Sequence, residues 1–92
     1  MDSKDLSRHL HLIIQESASI GAIIGLVRTG TIKPYFKKNE AFRKFGRARV
    51  EKWISSGFVT IRKDGNHSAA WRIDRIEIEV VASAEKLRAI GL

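Results

Sequence analysis

Cysteine is absent from the 92 residues, which removes disulfides and thiolate metal sites together and leaves the fold to be held by its apolar core alone. Such a chain suits a reducing cytoplasm. The three histidines are equally uninformative for metal chemistry: His9 and His11 are two apart, hence on different faces of a helix, and His67 falls in a loop. No metal-ligand spacing exists, and neither a metal nor a cofactor is expected. Long apolar runs are scarce too. Ile20 to Val27 is largely apolar but far shorter than the roughly 20 residues that cross a bilayer, and the acidic start Met1-Asp2-Ser3-Lys4-Asp5 is unlike the basic leader of an export signal. A soluble, cytoplasmic protein without a membrane partner is the expectation. Catalytic signatures are missing as well. Tyr35 is the sole tyrosine, and a nucleophilic tyrosine needs a far larger scaffold. Glu77 and Glu79 lack any pocket signature for acid/base work. The chain is therefore expected to bind rather than catalyse, with no catalytic residue.

What remains is an ordinary globular composition with a localised charge. A chain of this length buries about 60–65% of its unfolded surface, enough for one modest core and no second independent domain. The formal net charge is +7, and it has an address: Arg28 to Lys52 contains nine basic residues and two acidic ones, whereas the rest of the chain has eight of each sign. A polyanionic partner would meet the middle of the chain.

Apolar residues at Leu6, Leu10, Ile13, Ile14, Ala18 and Ile24 recur at three- and four-residue intervals, which predicts an amphipathic helix from about Lys4 to Thr29. Gly30 ends it, and Thr31-Ile32-Lys33-Pro34, with the chain's single proline, reads as an extended linker. Residues 1–33 thus form a helix and linker, and 34–92 the remaining unit. Ser17, Gly21 and Gly25, four apart, give the first helix a small-residue face that suits either close packing on the domain's own core or self-association into a homodimer.

Beyond Pro34, Lys38 to Phe45 makes two helical turns with Ala41, Phe42 and Phe45 on one side. Gly46 interrupts, and a second short helix follows from Arg47 to about Ser55. Val50, Trp53 and Ile54 form its buried side, while Ala48, Lys52 and Ser55 point away, flanked by Arg49 and Glu51. Phe58 to Arg62, the turn signal Lys63-Asp64-Gly65-Asn66 and Ala69 to Ile73 predict a β-hairpin. Trp71 is expected to face the core from it. Ile76, Ile78 and Val80 alternate like a strand, but Ile76, Val80, Ala84 and Leu87 fit a helix, and Asp74 with Glu77 resembles a capping box, which favours helix.

The fold class is then mainly α with a small β-hairpin, a long N-terminal helix followed by a winged helix-turn-helix. Asn39-Glu40-Ala41-Phe42-Arg43-Lys44-Phe45-Gly46-Arg47-Ala48-Arg49-Val50-Glu51-Lys52-Trp53-Ile54, with Gly57-Phe58-Val59 and then Trp71-Arg72-Ile73-Asp74-Arg75-Ile76, resembles the excisionase and MerR-type DNA-binding domains from about Lys37 to Val81. The long first helix has no counterpart in the minimal family domain, and residues 64–68 at the wing tip carry no basic residue beyond Arg62 and Lys63. The resemblance implies an accessory or regulatory protein bound to double-stranded DNA, its wing on the phosphate backbone. Arg47, Arg49 and Lys52 would enter the major groove, with Lys37, Lys38, Arg43, Lys44 and Arg62 on phosphates. The alternative is a protein-interaction or dimerisation module that has kept this fold without DNA. Because one short helix reads few base pairs, a homodimer through the first helix suits the DNA reading.

Overall fold

The computed structural model describes residues 2–63 and 71–91. In chain order these form α1 (Ser3–Arg28), β1 (Tyr35–Lys37), α2 (Lys38–Phe45), α3 (Arg47–Ser55), β2 (Ile61–Lys63), β3 (Trp71–Asp74) and α4 (Arg75–Ala89). The protein is mainly helical, with one small antiparallel sheet. The turn expected at residues 64–68 lies outside the described residues.

The sheet corrects the sequence reading. Tyr35–Lys37, which carries no local strand signal, is a strand, and it makes the expected hairpin a three-stranded sheet of order β1-β3-β2. Phe36 pairs with Ile73 from one side and Ile61 pairs with Ile73 from the other. The physical reason is non-local: Phe36, at 5% exposure, pairs with Ile73 of a strand more than thirty residues downstream, and no local pattern reveals that pairing. Pro34 cannot donate a ladder bond, but its carbonyl accepts one from the Arg75 N–H at 2.9 Å. That bond ties the start of β1 to the start of α4.

Residues 76–81 are helical. Asp74 caps α4 by accepting the Glu77 N–H at 2.8 Å, and with the cap in place Ile78 is directed inward, where it is fully buried. The core unites Phe36, Ala41, Phe45, Val50, Trp53, Val59, Ile73 and Ile78. Its aromatic members meet edge to face, with Phe36–Phe45 centroids at 5.8 Å and Phe45–Trp53 at 5.9 Å. Trp71, expected on this core, is only half-buried and stands outside it.

Helix α1 begins with Asp2, whose carboxylate accepts the Asp5 N–H at 2.8 Å, and ends where Gly30 turns at φ +76°. Its C-terminal half lies antiparallel to α4, with Glu16 ion-paired to Lys86 at 2.9 Å. Its first turns run past the end of α4, and Leu6, Leu10 and Ile14 are 51%, 50% and 68% exposed. The radius of gyration, 15.2 Å, exceeds the roughly 12 Å of a compact domain of this size. Two expectations about α1 change. The Cβ positions of Gly21 and Gly25 meet nothing within 4 Å, so these glycines do not serve packing on the chain's own core. And although Ile20 to Val27 is short, α1 as a whole is long and apolar enough to cross a membrane, with a hydropathy of 1.6.

Ile73 is fully buried at the centre of the sheet. Ile73→Ala is expected to cost about 2–5 kcal/mol in chemical denaturation, and a loss below about 1 kcal/mol, the range of a surface substitution, would contradict this core assignment.

Candidate nucleic-acid interface

A single residue, Gly46, separates α2 from α3. Its φ of +95° is a left-handed conformation that side chains resist. It allows α2 to close on the bond from the Gly46 N–H to the Phe42 carbonyl at 2.9 Å and α3 to open on that from the Val50 N–H to the Gly46 carbonyl at 3.0 Å. Val50 and Trp53, at 0% and 3% exposure, then anchor α3 on the core. At 3.6 residues per turn this directs Ala48, Lys52 and Ser55 outward, and all three are exposed.

The cations predicted from sequence divide by what holds them. Among the described residues, Arg43 on α2 and Lys52 on α3 are exposed and their side chains make no ion pair or hydrogen bond. Arg47 is exposed at the start of α3, where its Nε donates to Glu51 Oε1 at 3.0 Å. Such an exposed pair is worth about 0.3–0.5 kcal/mol, little enough for a competing anion to displace. Lys37 is exposed at the end of β1. Arg62 on β2 donates from Nη1 to the Tyr35 hydroxyl at 3.1 Å.

Two of the predicted residues turn away from this surface. Lys44 is ion-paired with Glu79 of α4 and lies beside the Phe36 and Phe45 rings, 5.3 Å from each centroid. Arg49 pairs with Glu85 at 3.1 Å, stacks on Trp53 at 4.9 Å and donates to the Phe45 carbonyl at 3.5 Å. Both fasten the short helices to α4. Sequence periodicity placed Arg49 on the flank of α3 but gave no sign that Glu85, far along the chain, would claim it.

Phe42, Trp71 and Lys63, not among the predicted site residues, join the predicted Lys38 and Arg47 on this surface. Lys38 stands over Trp71 and Phe42, with Nζ 4.6 and 5.4 Å from their centroids. Lys63 covers Trp71 at 4.9 Å and Arg47 approaches Phe42 at 5.8 Å. Arg47, Phe42, Lys38, Trp71 and Lys63 thus form a cation-aromatic row from the α2–α3 turn to the β2–β3 ladder. Arg72, paired opposite Arg62, lies 6.0 Å from the Tyr35 ring. The one sequence signal for this row is the presence of Phe42 and Trp71 close to basic residues.

Among the described residues no group of three or more His, Cys, Asp or Glu side chains is arranged to hold a metal ion. No protein family, curated protein or solved structure matches the chain. The acidic side chains are almost all occupied internally. Asp2 and Asp74 cap helices, Glu40 accepts the Lys37 N–H, and Glu77 accepts the Thr60 N–H. Glu16, Glu51, Glu79 and Glu85 hold Lys86, Arg47, Lys44 and Arg49 respectively. Of the described acids only Asp5 lacks such a role.

Glu85 also accepts the Trp53 indole N–H at 2.7 Å. That hydrogen bond, with the nearby Arg49 and Lys52, holds its carboxyl below the usual 4.5 against an opposing contribution from burial. A lowered folded-state value means that the contact stabilises the fold above pH 4.5 and that this contribution is lost as pH falls through the lower, folded-state value. In a Trp71→Phe background, Trp53 emission should change below pH 4.5, and Glu85→Gln should remove that transition. A transition that survives Glu85→Gln would assign it to another group.

Proposed function

We propose that the protein binds double-stranded DNA through a helix-turn-helix formed by α2 and α3, with the β2–β3 ladder as its wing, as an excisionase-like accessory or regulatory protein of the cytoplasm. The observation that carries this reading is the unequal use of the two charges. Eight of the nine described acidic side chains are engaged by helix caps, backbone amides or cations, while on α2 and α3 the side chains of Arg43 and Lys52 remain free of hydrogen bonds and ion pairs among the described residues. With the exposed Lys37, Arg47 and Arg62 they supply cations of the kind that contacts to a phosphate backbone require.

Helix α3 suits a groove. Its nine residues span about 13 Å, its core side is anchored, and its outer side offers Ala48, Lys52 and Ser55, small residues on either side of one cation. A major groove about 12 Å wide admits such a helix. Lys52 is the groove-facing cation in this reading and Arg47 joins it by exchanging Glu51 for phosphate or base. Lys37, Lys38, Arg43, Arg62 and Lys63 supply backbone contacts on either side. Arg49 and Lys44 act indirectly, by holding α3 and α2 to α4.

About five phosphate contacts would make binding of labelled duplex fall on the order of 500-fold between about 50 and 200 mM salt. Fluorescence anisotropy measures this directly. Arg43→Gln should weaken binding and reduce the salt dependence by about one ion, whereas Lys44→Gln should leave both nearly unchanged. Absence of binding at the lower salt, or equal effects of the two substitutions, would overturn the assignment.

A further inference from the structure

Helix α1 presents two apolar faces, and the chain itself covers only one. Glu16, Ile20 and Ile23 line the cavity shared with α4. Leu6, Leu10, Ile14, Ser17, Gly21, Gly25 and Arg28 fall on a second arc of about 100°, centred about 120° away. The large members of this arc are among the most exposed apolar side chains of the protein. Its glycines are poor helix formers, and no described residue comes within 4 Å of their Cβ positions.

The arc is ordered by size along the helix. Its N-terminal half is leucine, leucine, isoleucine, and its C-terminal half is serine, glycine, glycine. Beside the small half runs an open groove of ≈ 400 Å³ between α1 and α4, lined by Ser17, Gly21, Ile24, Val80, Ala84 and Leu87. We infer that the occupant of this face is a second copy of the chain, its α1 laid antiparallel on this α1 about a two-fold axis. Leu6 then meets Gly25, Leu10 meets Gly21 and Ile14 meets Ser17, each twice by symmetry. The large half of each α1 fills the groove of the other copy.

The helix dipole and side-chain size select the same arrangement. Antiparallel pairing opposes the dipoles of the two helices, whereas parallel pairing would align them and face leucine with leucine and glycine with glycine. A lipid bilayer is the other medium that accepts so apolar a helix. It fits less well, because Glu16 in the middle of α1 is held by Lys86 at 2.9 Å and the neighbouring cavity is lined by Lys44, Arg49, Glu79 and Glu85. Those charges would enter hydrocarbon with the helix.

Sedimentation equilibrium of the full chain should give twice the 10.4 kDa protomer mass. Leu10→Glu and Gly21→Leu should each give the protomer mass with helical circular dichroism retained, since both positions are exposed in the single chain. The natural absence of cysteine permits a sharper test. The double variant Leu10→Cys/Gly21→Cys should oxidise to a covalent dimer, while either single variant should not, because like positions lie about 16 Å apart along the antiparallel pair. A protomer mass for the unmodified chain, a dimer that survives Gly21→Leu, or cross-linking of Leu10→Cys alone would overturn the inference. So would a chain monomeric in solution that binds vesicles of phosphatidylcholine and phosphatidylglycerol. The inference stands apart from DNA binding: Lys52→Gln should leave the dimer mass unchanged, so failure of one reading does not imply failure of the other.

Discussion

Strand β3 is the constraint on which the remaining geometry depends. It has a partner on both sides, and Ile73 at its centre is fully buried between Phe36 and Ile61 of the flanking strands. Two helices leave this small ladder without an intervening residue, α2 directly after β1 and α4 directly after β3. Their directions are consequently set by strand register, and a one-residue slip would move Ile73 and Phe36 out of the core together. Gly46 then places α3 against the same core, and Glu85 holds it there through Trp53 and Arg49.

This scaffold determines which charges are free. The ion pairs set direction: they commit Lys44, Arg49 and Lys86 to contacts with α4 or α1, while Lys52 and Arg43 stay exposed. With the exposed Lys37 and Arg47 they give the α2–α3 region a cationic surface. The row of Lys38, Trp71 and Lys63 extends that surface toward the ladder, with aromatic rings fixing the ammonium groups at 4.6 and 4.9 Å.

Local signals in the sequence were sufficient for the helices. The three- and four-residue apolar spacing, the glycines at 30, 46 and 57, and Asp74 followed by Glu77 place all four helices within a few residues of their observed ends. Periodicity also assigned the two faces of α3. What local signals could not supply were partners distant in sequence. The pairing of Tyr35–Lys37 with β3, the capture of Arg49 by Glu85 and of Lys44 by Glu79, and the position of Trp71 under two lysines each depend on tertiary placement. The small-residue face of α1 was visible as a pattern, but only its lack of neighbours directs attention outside the chain.

The long α1 and the cationic α3 face belong to different surfaces, joined through α4. Backbone amide NMR of the full chain during titration with duplex DNA tests this division most directly. Shifts concentrated at Gly46 to Ser56 and at Arg62, Lys63 and Arg72, with α1 largely unmoved, are the expected result. Shifts confined to α1, or none at a salt concentration low enough to favour phosphate contacts, would contradict the assignment of α3 as the nucleic-acid-binding element.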